Sequence, residues 1–382
     1  MGVTADSVLK VSVLEEGEAR SLFLQFLEPS DNVDPELHKI AEEIVRKCCG
    51  LPIAIKTMAC TLRSKSKDTW KNALSRLQHH DINTVAPTVF KTSYENLQDE
   101  VTEATFLLCG LFPEDFNICT EDLLRYGWGL KLFKKMGTIR EARYRLKACI
   151  ERLMHTNLLM ECDAVGCVKM HDLVRAFVLN MFSKVEHASI VNHGSSNPGW
   201  PGTENMVSAS CKSISLTCKG MTEFPSDLKF PNVLILKLMH GDWSLRFPRN
   251  FYEEMGKLQV ISYDHMKYPL LFSSLKCSTN IRVLHLRQCS LAIDVSSIGN
   301  LPNLEVLSLA SSSIDRLPST FQNLNKLRVL DVTGCGGLHI DNGVFKNLVR
   351  LEELWAFGEA ISFIGDKCNE VAERWKSNIT IV

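Results

Sequence analysis

Seven copies of one apolar template occupy the last half of the chain and restrict what it can fold into. The template is L-x-x-L-x-L with apolar replacements, and its copies begin at Cys211, Val233, Leu258, Ile281, Leu304, Leu327 and Leu351. The steps between copies are 22 to 25 residues. A unit of that length cannot bury its own apolar side chains, but it can bury them against its neighbours. The pattern therefore predicts a solenoid of short parallel strands with irregular returns.

This period and template are those of leucine-rich repeats. Cys289 and Cys335 take the position where an Asn or Cys normally satisfies loop backbone groups, so we expect them to be structural. The polar residues between the apolar positions should share one concave face of the sheet, which is a protein-recognition surface by architecture. This predicted recognition set is Arg282, His285, Glu305, Ser308, Arg328, Asp331, Glu352 and Glu353.

The first hundred residues show helical periodicity instead. Apolar residues recur at helical spacing in 18–27, 35–48, 52–62, 68–77 and 88–97. Asp34 suits an N-cap and Pro35 a first helical position. Gly50 can end one helix and Pro52 begin the next, whose first amides suit an anion or a nucleotide. Gly50-Leu51-Pro52 is also explained simply as the end of one helix and the start of the next, and this is the simpler interpretation.

The middle of the chain combines helices with a hairpin. A helix capped by Thr120, a helix over 139–155, two short strands at 158–162 and 168–170, and a helix over 173–182 predict a winged-helix domain. Asp172 is the expected N-cap of the last helix, and His171 lies just before it. The outward stripe of Arg140, Arg143, Lys147 and Arg152 is expected to be a solvated face.

Several sharper interpretations are disfavoured. The helix over 173–182 has one Arg among apolar residues, so it does not suit a DNA groove. Cys162, Cys167 and His171 supply three donors at irregular spacing, which favours chance placement over a metal site. The 43 Lys and Arg residues balance 44 Asp and Glu residues, which offers nucleic acid no basic footprint.

Composition and missing motifs limit the function further. Fourteen Cys occur without a secretory signal, so we expect reduced thiols in a cytoplasmic protein without a membrane span. The sequence contains no G-x-x-x-x-G-K-[ST] and no pair of acids after an apolar strand. Without them the phosphates and the metal of ATP have no cradle. We therefore expect no ATPase or other enzymatic activity.

Taken in order, the motifs resemble those of plant NB-ARC leucine-rich-repeat immune receptors, most closely the coiled-coil-associated branch. The resemblance covers roughly residues 8–360. It is carried by the acidic Leu14–Ala19 segment, Gly50-Leu51-Pro52-Ile53-Ala54, the segment Phe106–Phe116, Met170-His171-Asp172 and the repeats. The phosphate loop, the metal-binding acids and the N-terminal signalling domain of that family are absent from this sequence.

The resemblance implies a multidomain fold: an all-α helical domain and a winged-helix domain, followed by an α/β leucine-rich-repeat solenoid. The expected order is the end of a nucleotide-binding domain at 1–30, the helical domain at 31–98 and the winged-helix domain at 99–191. A linker at 192–210, repeats at 211–365 and an unassigned tail at 366–382 follow. The chain would then be a fragment of a receptor, lacking the domain that holds the phosphate loop.

The resemblance also implies a site and partners. In that family ADP is clasped between domains, and exchange for ATP opens the receptor. Carried over to this sequence, Gly50, Leu51 and Pro52 would contact the nucleotide, with Pro52 on the adenosine side. His171 would contact the β-phosphate, and Asp172 would fix the helix start. Without a phosphate loop we expect weak or no binding of ADP or ATP.

The repeats would sense a pathogen effector or a guarded host protein. Two alternatives stay open. One is a nucleotide-independent scaffold that binds a protein through its repeats, and the other is an inactive truncated paralogue.

Overall fold

The computed structural model describes residues 12–27, 35–78, 84–194, 200, 209–226, 228–248, 250–267, 279–291, 294–356, 362–363 and 380–381. The predicted cap at Asp34 lies outside them. The chain divides into two compact units. The helical unit comprises Met1–Phe106 and Ala148–Phe177, and the repeat unit comprises Leu107–Lys147 and Val178–Val382.

The predicted helices begin and end close to the expected positions, and one further helix, Glu100–Cys109, was not predicted. The helices are α1 (Glu16–Phe26), α2 (Pro35–Lys47), α3 (Pro52–Leu62), α4 (Lys67–Leu77), α5 (Val85–Glu95), α6 (Glu100–Cys109), α7 (Thr120–Gly129), α8 (Ile139–His155) and α9 (Asp172–Phe182). The predicted cap of α7 is wrong. Thr120 is the first residue of α7 rather than its cap, and no side chain caps that helix from Cys119.

In the helical unit, α3 is buried on nearly all sides, because its sequence is apolar around the whole helix. Ala54, Ile55 and Met58 have no exposed surface. Its two buried hydroxyls are both satisfied. The Asn157 side-chain amide donates to Thr57 Oγ1 at 3.0 Å, and Thr61 Oγ1 donates to Thr57 O at 2.7 Å. The ring of Trp70 packs edge-on against Phe23.

The predicted hairpin is present. Strand β1 (Ile118–Cys119) belongs to the repeat unit, whereas β2 (Met160–Glu161) and β3 (Cys167–Lys169) form an antiparallel pair in the helical unit. Residues 99–191, predicted as one winged-helix domain, are distributed over both compact units. The winged-helix assignment therefore stays a prediction.

The repeat unit is built on a nine-stranded sheet in which every described pairing is parallel. Its strands are β4 (Ser189–Asn192), β5 (Ser213–Thr217), β6 (Ile235–Met239), β7 (Val260–Asp264), β8 (Val283–Arg287), β9 (Val306–Ser308), β11 (Val329–Asp331), β13 (Glu353–Trp355) and β15 (Thr380–Ile381). A smaller parallel sheet joins β10 (Arg316–Leu317), β12 (His339–Ile340) and β14 (Ser362–Phe363).

Each of the seven templates leads into one of these strands, which begins two residues after the template starts. The apolar positions form one continuous buried core across the repeats, as stacking of dependent units requires. Cys289 and Cys335 are buried, and their thiols donate to loop carbonyl groups, Tyr263 O and Leu309 O respectively. The sheet also extends past the predicted repeats at both ends, through β4 and β15.

Candidate functional site

A row of polar side chains crosses the nine-stranded sheet at one register position. Because side chains alternate across a strand, this row points away from the apolar core of the repeats. The row consists of Ser215, Lys237, Ser262, His285, Ser308 and Asp331. We call the surface that carries it the sheet face. Every residue of the row is nevertheless at most 3% exposed, so something covers the sheet face.

The cover is helix α7 of the same compact unit. Arg125 Nη2 donates to Asp331 Oδ2 at 2.6 Å, and Nη1 donates to Ser308 Oγ at 3.0 Å. Nη1 also lies 3.2 Å from His285 Nδ1. One guanidinium thus bonds to three neighbouring strands. A buried Arg–carboxylate pair is tolerated only when its other polar atoms are satisfied too, as they are here.

Aromatic residues of α7 extend the contact along the sheet. Tyr126 Oη lies 2.7 Å from Ser262 Oγ, and Trp128 Nε1 donates to Glu305 Oε2 at 2.7 Å. The helix approaches closely because Gly129 has no side chain. A Cβ there would lie 2.4 Å from Val260 Cγ2.

The C-terminal end of α7 is held by a cation. Arg282 Nη1 donates to the carbonyl oxygens of Trp128 and Gly129 at 2.8 and 2.9 Å. Its other nitrogens form a two-point ion pair with Glu305. A positive group at this end complements the helix dipole and satisfies carbonyl groups that have no partner in the helix.

The start of α8 binds the last strands. Arg143 makes two-point contacts with Glu121 and with Glu353, at distances of 2.6 to 3.0 Å. The backbone N–H of Ile139 donates to Glu352 Oε2 at 2.7 Å. Arg143 was predicted to lie on a solvated stripe, and that prediction is wrong. Its planar fork fits two carboxylates, which is how Arg forms strong ion pairs.

Arg328 completes this end of the interface. It pairs with Glu352, donates to Gly137 O at 3.0 Å and lies 5.3 Å from the centre of the Trp128 ring. The sheet face and the segment 120–143 are therefore joined by ion pairs, cation–π contact and aromatic packing together.

All eight residues of the predicted recognition set contact this segment of their own chain. The strand register confirms that four of them, His285, Ser308, Asp331 and Glu353, share one face of the sheet. The other four, Arg282, Glu305, Arg328 and Glu352, each directly precede a strand and lie outside the register. The expectation that all eight present an open surface is wrong in this conformation, because the segment 120–143 of the same chain covers them. Polar side chains on a solenoid face are free to bind a partner only if no other part of the chain reaches them first.

Sequence reasoning did not single out Asp122, Arg125, Tyr126 or Trp128. The signal was nonetheless present in Arg125-Tyr126-Gly127-Trp128-Gly129, where two glycines and two large aromatic residues crowd a predicted helix. Glycine inside a helix costs stability and often marks a close approach by another element. Here that element is the sheet.

The charges under α7 are strongly coupled. Burial lowers the pKa of His285 to about 4, against the opposing effect of Asp122, and Arg125, Arg287 and Lys237 lower it further. Arg125 can only donate, so His285 Nδ1 accepts and Nε2 carries the proton, 3.5 Å from Asp122 Oδ1. His285 is therefore a neutral ring that connects a cation to an anion.

Lys237 is buried beside this cluster. Its Nζ lies 4.7 Å from the centre of the Phe112 ring, and burial lowers its pKa to about 8 in spite of Asp122 and Asp264. In Asp331 the attraction of Arg125 and several hydrogen bonds outweigh burial, so the pKa of that carboxyl is lowered. The buried charge of Asp331 on the sheet face thus has its partner, Arg125, on α7.

The residues predicted to contact a nucleotide lie in the helical unit. Gly50 adopts a left-handed φ of +68°, and its carbonyl accepts from Leu14 N–H at 2.9 Å. A Cβ at Gly50 would lie 2.4 Å from Leu14 O. Leu51 is the N-cap residue of α3 and Pro52 its first helical residue. The helix start was predicted correctly, and nothing in this geometry tests the predicted ligand.

His171, not Asp172, caps α9. His171 Nδ1 accepts from the Leu173 N–H at 3.1 Å, and His171 O accepts from the Arg175 N–H at 2.9 Å. Asp172 is already the first helical residue, so its predicted role as N-cap is wrong. Since Nδ1 accepts, Nε2 bears the proton of the neutral ring. His171 therefore uses Nδ1 as the acceptor of the capping bond and keeps one N–H donor, on Nε2.

Among the residues that the structure describes, no three His, Cys, Asp or Glu side chains group in a way that suits a metal ion. None of their helices is both long enough and apolar enough to cross a membrane.

Comparison with known proteins identifies the repeats and the relatives. The family model for leucine-rich repeats matches residues 279–336. The chain is 30% identical over 359 residues to a probable disease resistance protein of Arabidopsis thaliana, covering 91% of this chain and 32% of that protein. It is 28% identical over 365 residues to the disease resistance protein UNI of the same species, covering 92% and 38% respectively.

A solved structure of a Leptospira interrogans leucine-rich-repeat protein aligns with a TM-score of 0.37 and 22% identity, over 45% of this chain and 43% of that one. The chain spans about a third of the length of the curated relatives that it matches. Residues 279–336 are therefore leucine-rich repeats, and over most of its length the chain is homologous to plant disease resistance proteins.

Proposed function

We propose that the chain is part of a plant immune receptor whose sheet face is closed by α7 until a protein partner displaces that helix. One observation carries the proposal. Every residue expected to recognise a partner is instead bonded to the segment 120–143. The relatives, which are named disease resistance proteins, support the role in defence.

The chemistry of the covered face defines the partner. The face offers Asp331, Glu305 and Glu353 to cations and indole or phenol groups. A competitor must satisfy these buried acceptors, because leaving them unpaired costs more than their pairing gains. We therefore expect a partner that presents Arg and aromatic side chains from a helix. A pathogen effector or a guarded host protein with such a helix meets this requirement.

A synthetic peptide of residues 118–145 tests the covered face. Arg125→Glu places a carboxylate opposite Asp331 and should release the chain's own helix. Fluorescence anisotropy should then show the labelled peptide binding to this variant at least about tenfold more tightly than to the parent chain. Adding Asp331→Arg to Arg125→Glu restores the ion pair in reverse, so the double variant should again exclude the peptide.

The same titration separates two classes of function. Equal binding of the peptide by the parent chain and by Arg125→Glu would mean that the sheet face is open. That result would replace the closed receptor with a constitutive interaction scaffold. Circular dichroism of all three proteins shows whether the repeats remain folded.

We also propose that His171 contacts the β-phosphate of ADP and that Gly50-Leu51-Pro52 lies on the adenosine side. The donor set fits an anion only partly. His171 offers one neutral N–H, and a helix start offers partial positive charge. The sequence holds no phosphate loop to add cationic contacts. We therefore expect ADP to bind weakly or not at all to this chain alone.

Calorimetry with ADP distinguishes the two roles of His171. His171→Asn keeps a side chain that can cap α9 but removes the ring donor, whereas His171→Ala removes both. If His171 binds phosphate, any ADP affinity of the parent chain should fall at least about tenfold in both variants. Tight ADP binding that survives in His171→Asn would contradict the assignment.

A further inference from the structure

Two cysteines, Cys162 and Cys167, flank the turn that closes the hairpin of the helical unit. In the antiparallel register Met160 lies opposite Lys169 and Glu161 opposite Val168. One further step of this register, just beyond the end of β2, places Cys162 opposite Cys167. Both are half-buried thiols that are not in a disulfide.

In the turn between them, both cysteines contact the same backbone oxygen. Cys162 Sγ lies 3.5 Å from Ala164 O, and the Cys167 N–H donates to that same oxygen at 3.2 Å. Gly166 supplies the left-handed residue of the turn, with a φ of +72°. The turn is open to solvent, since Val165 is fully exposed.

Residues opposed in such a register suit a disulfide. Directly opposed residues of an antiparallel pair have Cα atoms about 4.5–5.5 Å apart. A disulfide needs about 4.4–6.8 Å between Cα atoms. We infer that Cys162 and Cys167 form a redox-sensitive pair that closes to a disulfide when the chain meets a peroxide.

The reaction balances without further reagents. One thiolate attacks an oxygen of hydrogen peroxide, the O–O bond breaks, and a sulfenic acid and water form. The second thiol then attacks that sulfur, the S–S bond forms, and a second water leaves. Two thiols lose two electrons and two protons, and one peroxide becomes two water molecules.

Most other cysteines are less suited to this reaction. Burial raises the pKa of Cys48 and Cys109 to about 12, which removes the reactive thiolate. Cys60 is a half-buried thiol whose pKa is also raised by burial. These three cysteines are internal references for the rate of oxidation by hydrogen peroxide.

Trypsin gives a direct readout, because the peptide 153–169 contains Cys162 and Cys167 and no other cysteine. After treatment of the folded chain with hydrogen peroxide, this peptide should lose two hydrogens and resist alkylation by iodoacetamide. It should do so roughly tenfold faster than Cys60 loses its own reactivity. In Cys162→Ser the remaining Cys167 should not form the internal link.

Three results would overturn the inference. The first is a peptide that stays fully alkylated on both cysteines while Cys60 is oxidised. The second is separate oxidation of each sulfur to a sulfinic acid. The third is an equal rate of disulfide formation in urea, since the fold would then contribute nothing to the pairing.

The consequence for function rests on the proposed nucleotide site. Strand β3 ends two residues before His171, so the disulfide would tie down the segment that presents this ring. Calorimetry of the oxidised chain with ADP measures that effect. Mass spectrometry measures disulfide formation itself, so the pairing and the nucleotide role can fail separately.

Discussion

His285 shows how burial turns one residue of the sheet face into a pH sensor. Its ring accepts from Arg125 and is at most 2% exposed, and its pKa is lowered to about 4 from an ordinary 6.5. Between these two pKa values the His285 ring is protonated in the unfolded chain but not in the folded chain. The contribution of His285 to stability is thus complete above about pH 6.5 and lost as the pH falls towards 4.

We therefore predict that acid destabilises the parent chain more than His285→Gln. Between pH 7 and pH 5 the parent should lose roughly 2 kcal/mol more unfolding free energy than the variant. Urea unfolding of both proteins at the two pH values measures the difference. Asp264 and Asp331 do not contribute to the difference between pH 7 and pH 5. The pKa values of both carboxyls are lowered from 3.8, so both stay ionised over that range. Parallel losses in the two proteins would contradict the burial of a neutral ring.

Helix α7 depends on one missing side chain for its approach to the sheet. A Cβ on Gly129 would lie 2.4 Å from Val260 Cγ2 and 2.9 Å from Val283 Cγ2. Valine cannot rotate away easily, because its branched side chain is stiff. We predict that Gly129→Ala lowers the unfolding free energy by about 1–3 kcal/mol.

Gly256→Ala is the matched control for this element. A Cβ on Gly256 would meet nothing within 4 Å, so stability should change by less than about 0.5 kcal/mol. Thermal unfolding of the two variants and the parent makes the comparison. A Gly129→Ala chain as stable as the parent would mean that α7 does not pack on the sheet as described.

The spacing of apolar residues predicted the bounds of helices and strands more accurately than it predicted side-chain contacts. The bounds of α3 and α8 and the start of every repeat strand followed from the spacing of apolar residues, since that spacing is a local property. The cap of α9 went to His171 rather than Asp172, because caps depend on atomic positions one residue apart. Pro52 began α3 where the sequence placed it, whereas α2 ended at Lys47, three residues before Gly50, and Cys49 is the first left-handed residue after it.

At the scale of the whole molecule, distance along the chain limited the prediction. Arg125 and Asp331 are 206 residues apart, and Arg143 and Glu353 are 210 apart. No local pattern pairs such residues. The sequence could therefore identify the recognition set, but not that the segment 120–143 of the same chain already binds it. The proposed closed state depends on these long-range pairs, not on the repeats alone.

A double-mutant cycle on Arg125 and Asp331 tests this closure most directly. Urea unfolding of the parent chain, Arg125→Met, Asp331→Leu and the double variant yields their coupling free energy. Because the pair is buried and its atoms are 2.6 Å apart, we predict a coupling of about 2–3 kcal/mol. Independent effects that simply add, with a coupling below about 0.5 kcal/mol, would show that α7 does not hold the sheet face.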